Sequence, residues 1–318
     1  MVIRFFIDYR ISWLIGLPII IITYSLLNNY TNHHVWISFL DLNLFSFKIN
    51  HSIISSKILA PLFVFFNATL ISQTFNFHNF IEKNTYTSPL LYVVLMSFFN
   101  DFYCLSNVTL THTFLILSLS KFLHLKSSND NKKLIFDCAL FFSIASCLFP
   151  VLTVFLPFVF FMIWVSRPFL IRDALICLAG IITPFIYVFC IRFFNKTPSL
   201  NIDPFPNLHQ YNFNYEHLVL FALSTLLTIF AFISIKSRIK KPTIKLRNQF
   251  KILTYWFFIC FCVGITSLII QSNISAVSFI ITPLVFILTY GFLSKTKKIQ
   301  FNLLFFLLFL FSFIKFLI

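Results

Sequence analysis

Residues 174–191 read ALICLAGIITPFIYVFCI, eighteen positions without a charge between Asp173 and Arg192. Wound as an α-helix at 1.5 Å per residue, the run is about 27 Å long, close to the roughly 30 Å hydrocarbon core of a bilayer. A strand of a membrane barrel would alternate apolar and polar residues over about ten positions, and this run does not alternate. In lipid, backbone polar groups must be satisfied within the spanning segment, so the stretch reads as a transmembrane helix.

Runs like it recur along the chain. Of the 318 residues, 59% are hydrophobic and 10% charged, with a mean hydropathy of +0.91, whereas a soluble domain carries about 25% charged residues. Apolar windows fall at about 11–27, 58–75, 88–105, 107–124, 134–149, 151–166, 174–191, 217–235, 252–270, 275–293 and 300–317. The expected fold class is all-α, a polytopic helical membrane protein of about 11 transmembrane helices, with residues 1–318 forming one integral membrane domain. The first window follows Arg4 and Arg10 as a signal peptide would, but NNYTNHH after it has no small-residue cleavage site, so an uncleaved helix is expected. The 48 Phe, with abundant Ile, Asn and Lys, match the codon bias of an AT-rich genome, and their stripes read as lipid-facing or packing bulk.

The net charge of +15 would suggest nucleic acid in a soluble protein. Here the basic residues flank apolar windows, where they set orientation, so no nucleic acid partner is expected. With the N-terminus cytoplasmic, 19 of the 24 basic residues fall on the cytoplasmic side, seven of them in KSRIKKPTIKLRNQFK, and Lys48, Lys57, Arg192, Lys196 and Lys315 fall outside. That bias predicts a multi-pass protein of the bacterial cytoplasmic (inner) membrane. Arg167, Arg172 and Asp173 lie on one cytoplasmic turn and read as orientation charges.

The nine acids divide, with Asp8, Glu82, Asp130, Asp137 and Asp173 on or near the cytoplasmic side and four outside, where most of the histidines also gather. Asp41, Asp101, Asp203 and Glu216 fall outside, as do His33, His34, His51, His209 and His217, with His112 about a turn into the fourth window. The seven Cys lie nearly all in apolar windows and read as buried thiols, since Cys260-Phe-Cys262 lacks the further ligands a zinc site needs. Asn67 and Asn107 read as interhelical hydrogen-bonding amides. Two outer loops, about 28–57 and 192–216, are long enough to build a site. In the first, HVWISFLDLNLFSFK winds as an interfacial helix with Trp36, Leu40, Leu44 and Phe47 on one side and Ser38, Asp41 and Lys48 toward the other. Asn100 and Asp101, in the turn SFFNDFYCLSNVTLTH, lie where a carboxylate is costly unless it faces a cavity or a partner. Asp41 and Asp101 are therefore expected to face one outer cavity.

A long first outer loop with an acid, followed by a short outer loop with another, resembles the C-type glycosyltransferases, multi-spanning enzymes that use polyprenol-phosphate sugars. The resemblance implies Asp41 as general base or metal partner, Asp101 in support, and a cation, Arg192, Lys196 or Lys48, at the leaving phosphate; His112 joins them as a substrate-binding candidate. It leaves the cofactor open, with a divalent metal compatible, and makes a membrane lipid, a polyprenol-phosphate sugar, the expected partner. A second resemblance covers more of the chain. FNDF after the third window and SRPFLIRDALICLAGIITPF around the seventh resemble a Phe-rich multi-pass family of Bacteroidetes-type bacteria, which adds a class and no mechanism.

Two other classes are compatible with the same residues. A transporter predicts broken helices, inverted repeats and midplane charges, whereas here the acids cluster near span ends and no repeat is visible; Pro150, Pro157, Pro184 and Pro283 are the candidate breaks. A non-catalytic membrane subunit would use its apolar surface for membrane protein partners. No Gly-rich phosphate loop, G-x-S-x-G elbow or HExxH motif occurs, which speaks against an ATP- or NAD-driven activity.

Overall fold

The computed structural model describes residues 10–31, 40–42, 47–49, 53–78, 80, 85–125, 131–166, 170–194, 244–271, 274–293 and 298–316, with isolated positions 222, 225, 226, 228 and 229. The described chain is helical apart from one short hairpin. In order it runs α1 (Arg10–Thr31), β1 (Leu40–Leu42), β2 (Phe47–Ile49), α2 (Ile53–Phe77), α3 (Thr87–Met96), α4 (Asn107–His124), α5 (Lys132–Leu148), α6 (Pro157–Ser166), α7 (Ile171–Phe194), α8 (Ile244–Gln271), α9 (Ile281–Leu293) and α10 (Lys298–Ile314). Segments of 3₁₀ helix lie at Asn100–Phe102, Pro150–Phe155 and Ile274–Ile280. Four segments, Ser55–Phe77, Ile171–Ile191, Leu246–Ile269 and Ile274–Phe292, are long and apolar enough to cross a membrane.

The helix expected around Asp41 is instead a two-stranded antiparallel hairpin with Asp41 opposite Lys48. Leu40-Asp41-Leu42 and Phe47-Lys48-Ile49 each alternate apolar, charged, apolar, the period of a strand. Placing opposite charges at facing positions favours that register.

Three of the apolar windows are not continuous α-helix. Phe149 is extended (φ −129°, ψ 97°) before Pro150, as steric pressure from a following proline requires. Pro150 then opens a 3₁₀ segment and Pro157 opens α6, positions where the missing N–H costs nothing. Windows 88–105 and 275–293 likewise divide into an α-helix and a 3₁₀ piece.

One buried apolar cluster runs from Leu17 of α1 to Phe316 after α10, with Trp256 packed against Phe122 and Phe142 at ring separations of 5.5 and 5.8 Å. Helices approach closely where small residues meet. A Cβ on Gly180 of α7 would lie 2.8 Å from the Phe136 carbonyl oxygen and 2.9 Å from the Ala139 Cβ of α5. Ser143 of α5 donates to the Ile181 carbonyl at 2.7 Å, and Ser118 of α4 to the Cys138 carbonyl at 3.0 Å. Without a hydrophobic drive between helices in lipid, small-residue contact and such bonds are what join them. The opposite side of α7 exposes Leu175, Ile182, Ile186 and Phe189 among the described residues. All seven cysteines are free; Cys190 is exposed, Cys262 half-buried and the others buried.

Candidate functional site

Asp101 sits in the middle of the 3₁₀ turn Asn100–Phe102 and is 6% exposed. The cap of α4 is Ser106, whose extended backbone brings its Oγ within 3.3 Å of the Thr109 N–H. The helix terminus is therefore satisfied without the Asp101 carboxylate. Thr109 Oγ1 donates to the Asp101 carbonyl at 3.0 Å, tying turn to helix. The Ser106 and Ser275 hydroxyls face the Asp101 carboxyl, whose Oδ2 is buried with no hydrogen-bond partner among the described residues. A buried carboxylate oxygen without a partner is costly, and such atoms mark places where water, an ion or a ligand completes the structure.

Three further elements bring polar groups to the same place. Asn67 of α2 donates from Nδ2 to the Thr109 carbonyl at 3.2 Å and accepts the Thr113 hydroxyl at 2.7 Å, which is the interhelical role expected of this amide. The Tyr92 hydroxyl of α3 lies beside Asn67 and in the field of Asp101. His112 is wholly buried; its Nε2 is 2.9 Å from Ser278 Oγ, its ring meets Tyr92 edge-on at 6.0 Å, and its Nδ1 has no partner among the described residues. Asp101 and His112, both site candidates from sequence, thus share one buried cluster with Tyr92 between them.

The segment Ile274–Ile280 divides this cluster from an apolar groove. At 3.0 residues per turn, positions three apart eclipse. Ser275 and Ser278 therefore share one side, toward Asp101 and His112, while Val277 and Ile280 share another, against Gly264 of α8. On that second side lies a groove of about 820 Å³ lined by Leu95, Phe99, Phe261 and Leu268 as well as Thr225 and Thr228. Phe99 precedes Asp101 by two residues and Val277 adjoins Ser278, so apolar groove and polar cluster share a wall.

A family of unknown function, DUF6427, matches residues 23–318, nearly the whole chain. The chain belongs to DUF6427. No curated protein and no solved structure matches this DUF6427 chain. The family is one of unknown function, and four helices of the chain are long and apolar enough to cross a membrane.

The other expected site residues of the DUF6427 chain lie on other elements or outside the described residues. Asp41 and Lys48 are placed by backbone only, on a hairpin whose β1 comes within 8 Å of α4, Cα to Cα. Arg192 is in the last turn of α7, and Lys196 lies outside the described residues, as do His33, His34, His51, His209, His217, Asp203 and Glu216. Among the described residues no three His, Cys, Asp or Glu side chains are grouped to hold a metal ion; the neighbours of Asp101 are the hydroxyls of Ser106, Ser275 and Tyr92. Asp173 falls in the first turn of α7, where a negative charge suits the helix dipole. Sequence reasoning missed Tyr92, Ser275 and Ser278. The Ser-x-x-Ser spacing carried a readable signal, whereas Tyr92 in SPLLYVVLM is one bulky residue among many.

Proposed function

We propose that the protein is a glycosyltransferase-like enzyme of the bacterial inner membrane, crossing it eleven times with its N-terminus cytoplasmic and acting on a lipid-linked sugar at the outer face. The observation that supports this reading best is the shared wall between an apolar groove and a buried acid, Asp101, one of whose oxygens has no partner among the described residues. An amphiphile fits that pairing, with its isoprenoid tail along Phe99, Phe261 and Leu268 and its sugar phosphate toward Asp101.

Asp41, on the hairpin beside α4, takes the proton of the acceptor hydroxyl. The acceptor oxygen bonds to the sugar C1 as the C1–O bond to the phosphate breaks, and the polyprenyl phosphate leaves with the bonding pair. Asp101 orients the acceptor through its open Oδ2, and Lys48, Arg192 or Lys196 meets the departing phosphate, an electrostatic contribution made where charge develops. A divalent metal, were one bound, would be held by Asp41 and Asp101 and would supply positive charge toward the departing phosphate.

The test is sugar transfer from a radiolabelled polyprenyl-phosphate hexose by the protein in liposomes, with lipid and glycan extracts as acceptors. Asp41→Asn and Asp101→Asn are each expected to lower transfer by about 10²-fold or more, the usual size of a general acid–base contribution. No consumption of donor by folded wild-type protein across a panel of hexoses ends the reading. Reporter fusions after residues 31, 125 and 240 test the topology; the first should report the outer side and the other two the cytoplasm.

A further inference from the structure

The contact between α2 and α4 continues beyond the candidate site to the far end of both helices. Steps of three and four residues return to one helix face, so Thr109, Thr113, Leu117, Ser120 and His124 form a stripe on α4, and Asn67, Leu70, Thr74 and His78 one on α2 and the turn after it. Both stripes are polar except at Leu70 and Leu117.

At the far end the rings of His78 and His124 are 4.3 Å apart, and Gln249 of α8 places Nε2 3.4 Å from His78 Nδ1. Gln249 Oε1 is buried without a partner among the described residues. A groove of about 1030 Å³ opens here, bordered by Gln73, Thr74, Ser120 and His124 and reaching Leu70 and Leu117. The Asn67–Thr113 bond lies one helical turn further, about 5 Å along each axis. Leu70 and Leu117 thus stand between the groove and the cluster in which Asp101 Oδ2 and His112 Nδ1 have no partner among the described residues.

We propose that the α2–α4 seam is a proton path, with Asp101 at one end, the His78–His124 pair at the other and Leu70–Leu117 as its barrier. Hydrogen bonding between helices explains Asn67 and Thr113, but it does not account for the buried polar atoms that have no partner among the described residues at both ends of the seam, nor for two histidine rings in direct contact. Protonatable chains of this kind mark proton relays in membrane proteins. A proton taken up on the Asp101 carboxylate passes along water admitted between the leucines to the His124 imidazole and leaves by the groove; only O–H and N–H bonds exchange. Tyr92, Ser106 and Ser275 face Asp101, and Asn67 lies beside Tyr92. Phe77, Phe80 and Gln249 surround the histidines, and Lys121 on the same helix is paired with Asp137 at 3.3 Å. The path goes beyond the glycosyl-transfer reading and needs no sugar.

The experiment uses full-length protein in phosphatidylethanolamine–phosphatidylglycerol liposomes containing a pH-sensitive dye, with a one-unit pH step and the membrane potential clamped by potassium and valinomycin. Wild type is expected to dissipate the step faster than empty liposomes, Leu117→Ser to do so at least tenfold faster than wild type, and Asp101→Asn or His124→Phe to abolish the gain. Leu70→Ala stands in should Leu117→Ser fail to fold, as judged by helicity and size-exclusion profile. Rates in wild-type and barrier-variant liposomes equal to those of empty ones overturn the proposal, as does a flux that His124→Phe leaves unchanged.

Discussion

Asn67 grips two points of α4 at once, accepting the Thr113 hydroxyl at 2.7 Å and donating to the Thr109 carbonyl at 3.2 Å. Interhelical hydrogen bonds in membranes are worth about 0.6 kcal/mol each and reach about 1.7. Asn67→Leu removes two and is expected to destabilise the protein by about 1–2 kcal/mol, whereas Thr113→Val removes one and should cost about half as much. Reversible unfolding in mixed micelles measures both.

Gly180 and Gly264 should respond oppositely to a methyl group. At Gly180 the added Cβ meets the Phe136 backbone at 2.8 Å, while at Gly264 it meets Val277 Cα at an ordinary 3.4 Å. Gly180→Ala is therefore expected to cost about 1–3 kcal/mol through overpacking, and Gly264→Ala to be neutral or mildly stabilising, since alanine favours the helix by up to about 1 kcal/mol. Thermal melts in detergent decide it.

Thiol reactivity should follow burial. Cys190 is exposed on α7, while Cys138, Cys177 and Cys260 lie within the helix bundle. A membrane-permeant maleimide should modify Cys190 first in the native protein, and the other three only after denaturation. Mass spectrometry of a labelling time course checks the order; early labelling of Cys138 would contradict the α4–α5–α7 packing.

Lys315, 9% exposed, donates to the Ser97 carbonyl and lies 3.1 Å from the Tyr103 hydroxyl, with its ammonium 4.8 and 4.7 Å from the Phe98 and Phe316 rings. Tyr103 also donates to Ser97 at 2.7 Å, so two donors close the end of α3. A cation over aromatic faces contributes about 0.5–2 kcal/mol, and a positive charge suits a helix C-terminus. Lys315→Met is expected to cost about 2 kcal/mol, read from the same unfolding experiment, and to loosen the turn that carries Asp101.

The helical architecture, with helices long and apolar enough to cross a membrane, was legible because an eighteen-residue uncharged run placed in lipid leaves the backbone no other way to satisfy itself. Asp101 and His112 were legible as polar residues in an apolar setting, and Asn67 as an interhelical amide. The hairpin at Asp41 was missed because i, i+4 and i, i+2 patterns coexist in FLDLNLFSFK, and the helical period was preferred where pairing with Lys48 decided for strands. The division of windows 88–105 and 275–293 was missed because hydropathy averages over 3₁₀ and α alike. Which residues would meet His112 was missed because Ser278 is 166 positions away, and only the packing of the 3₁₀ segment against α4 brings them together.

The two-sided 3₁₀ segment Ile274–Ile280 also fixes what evolution and engineering can do there. Each residue added or removed turns everything beyond it by about 120°, which would carry Ser278 away from His112 and set Val277 or Phe279 in its place. Conservative exchanges at Val277 or Ile280 should be absorbed by the groove. A change of length should not, so this wall between polar and apolar space is specified by a count of residues more strictly than by their identity.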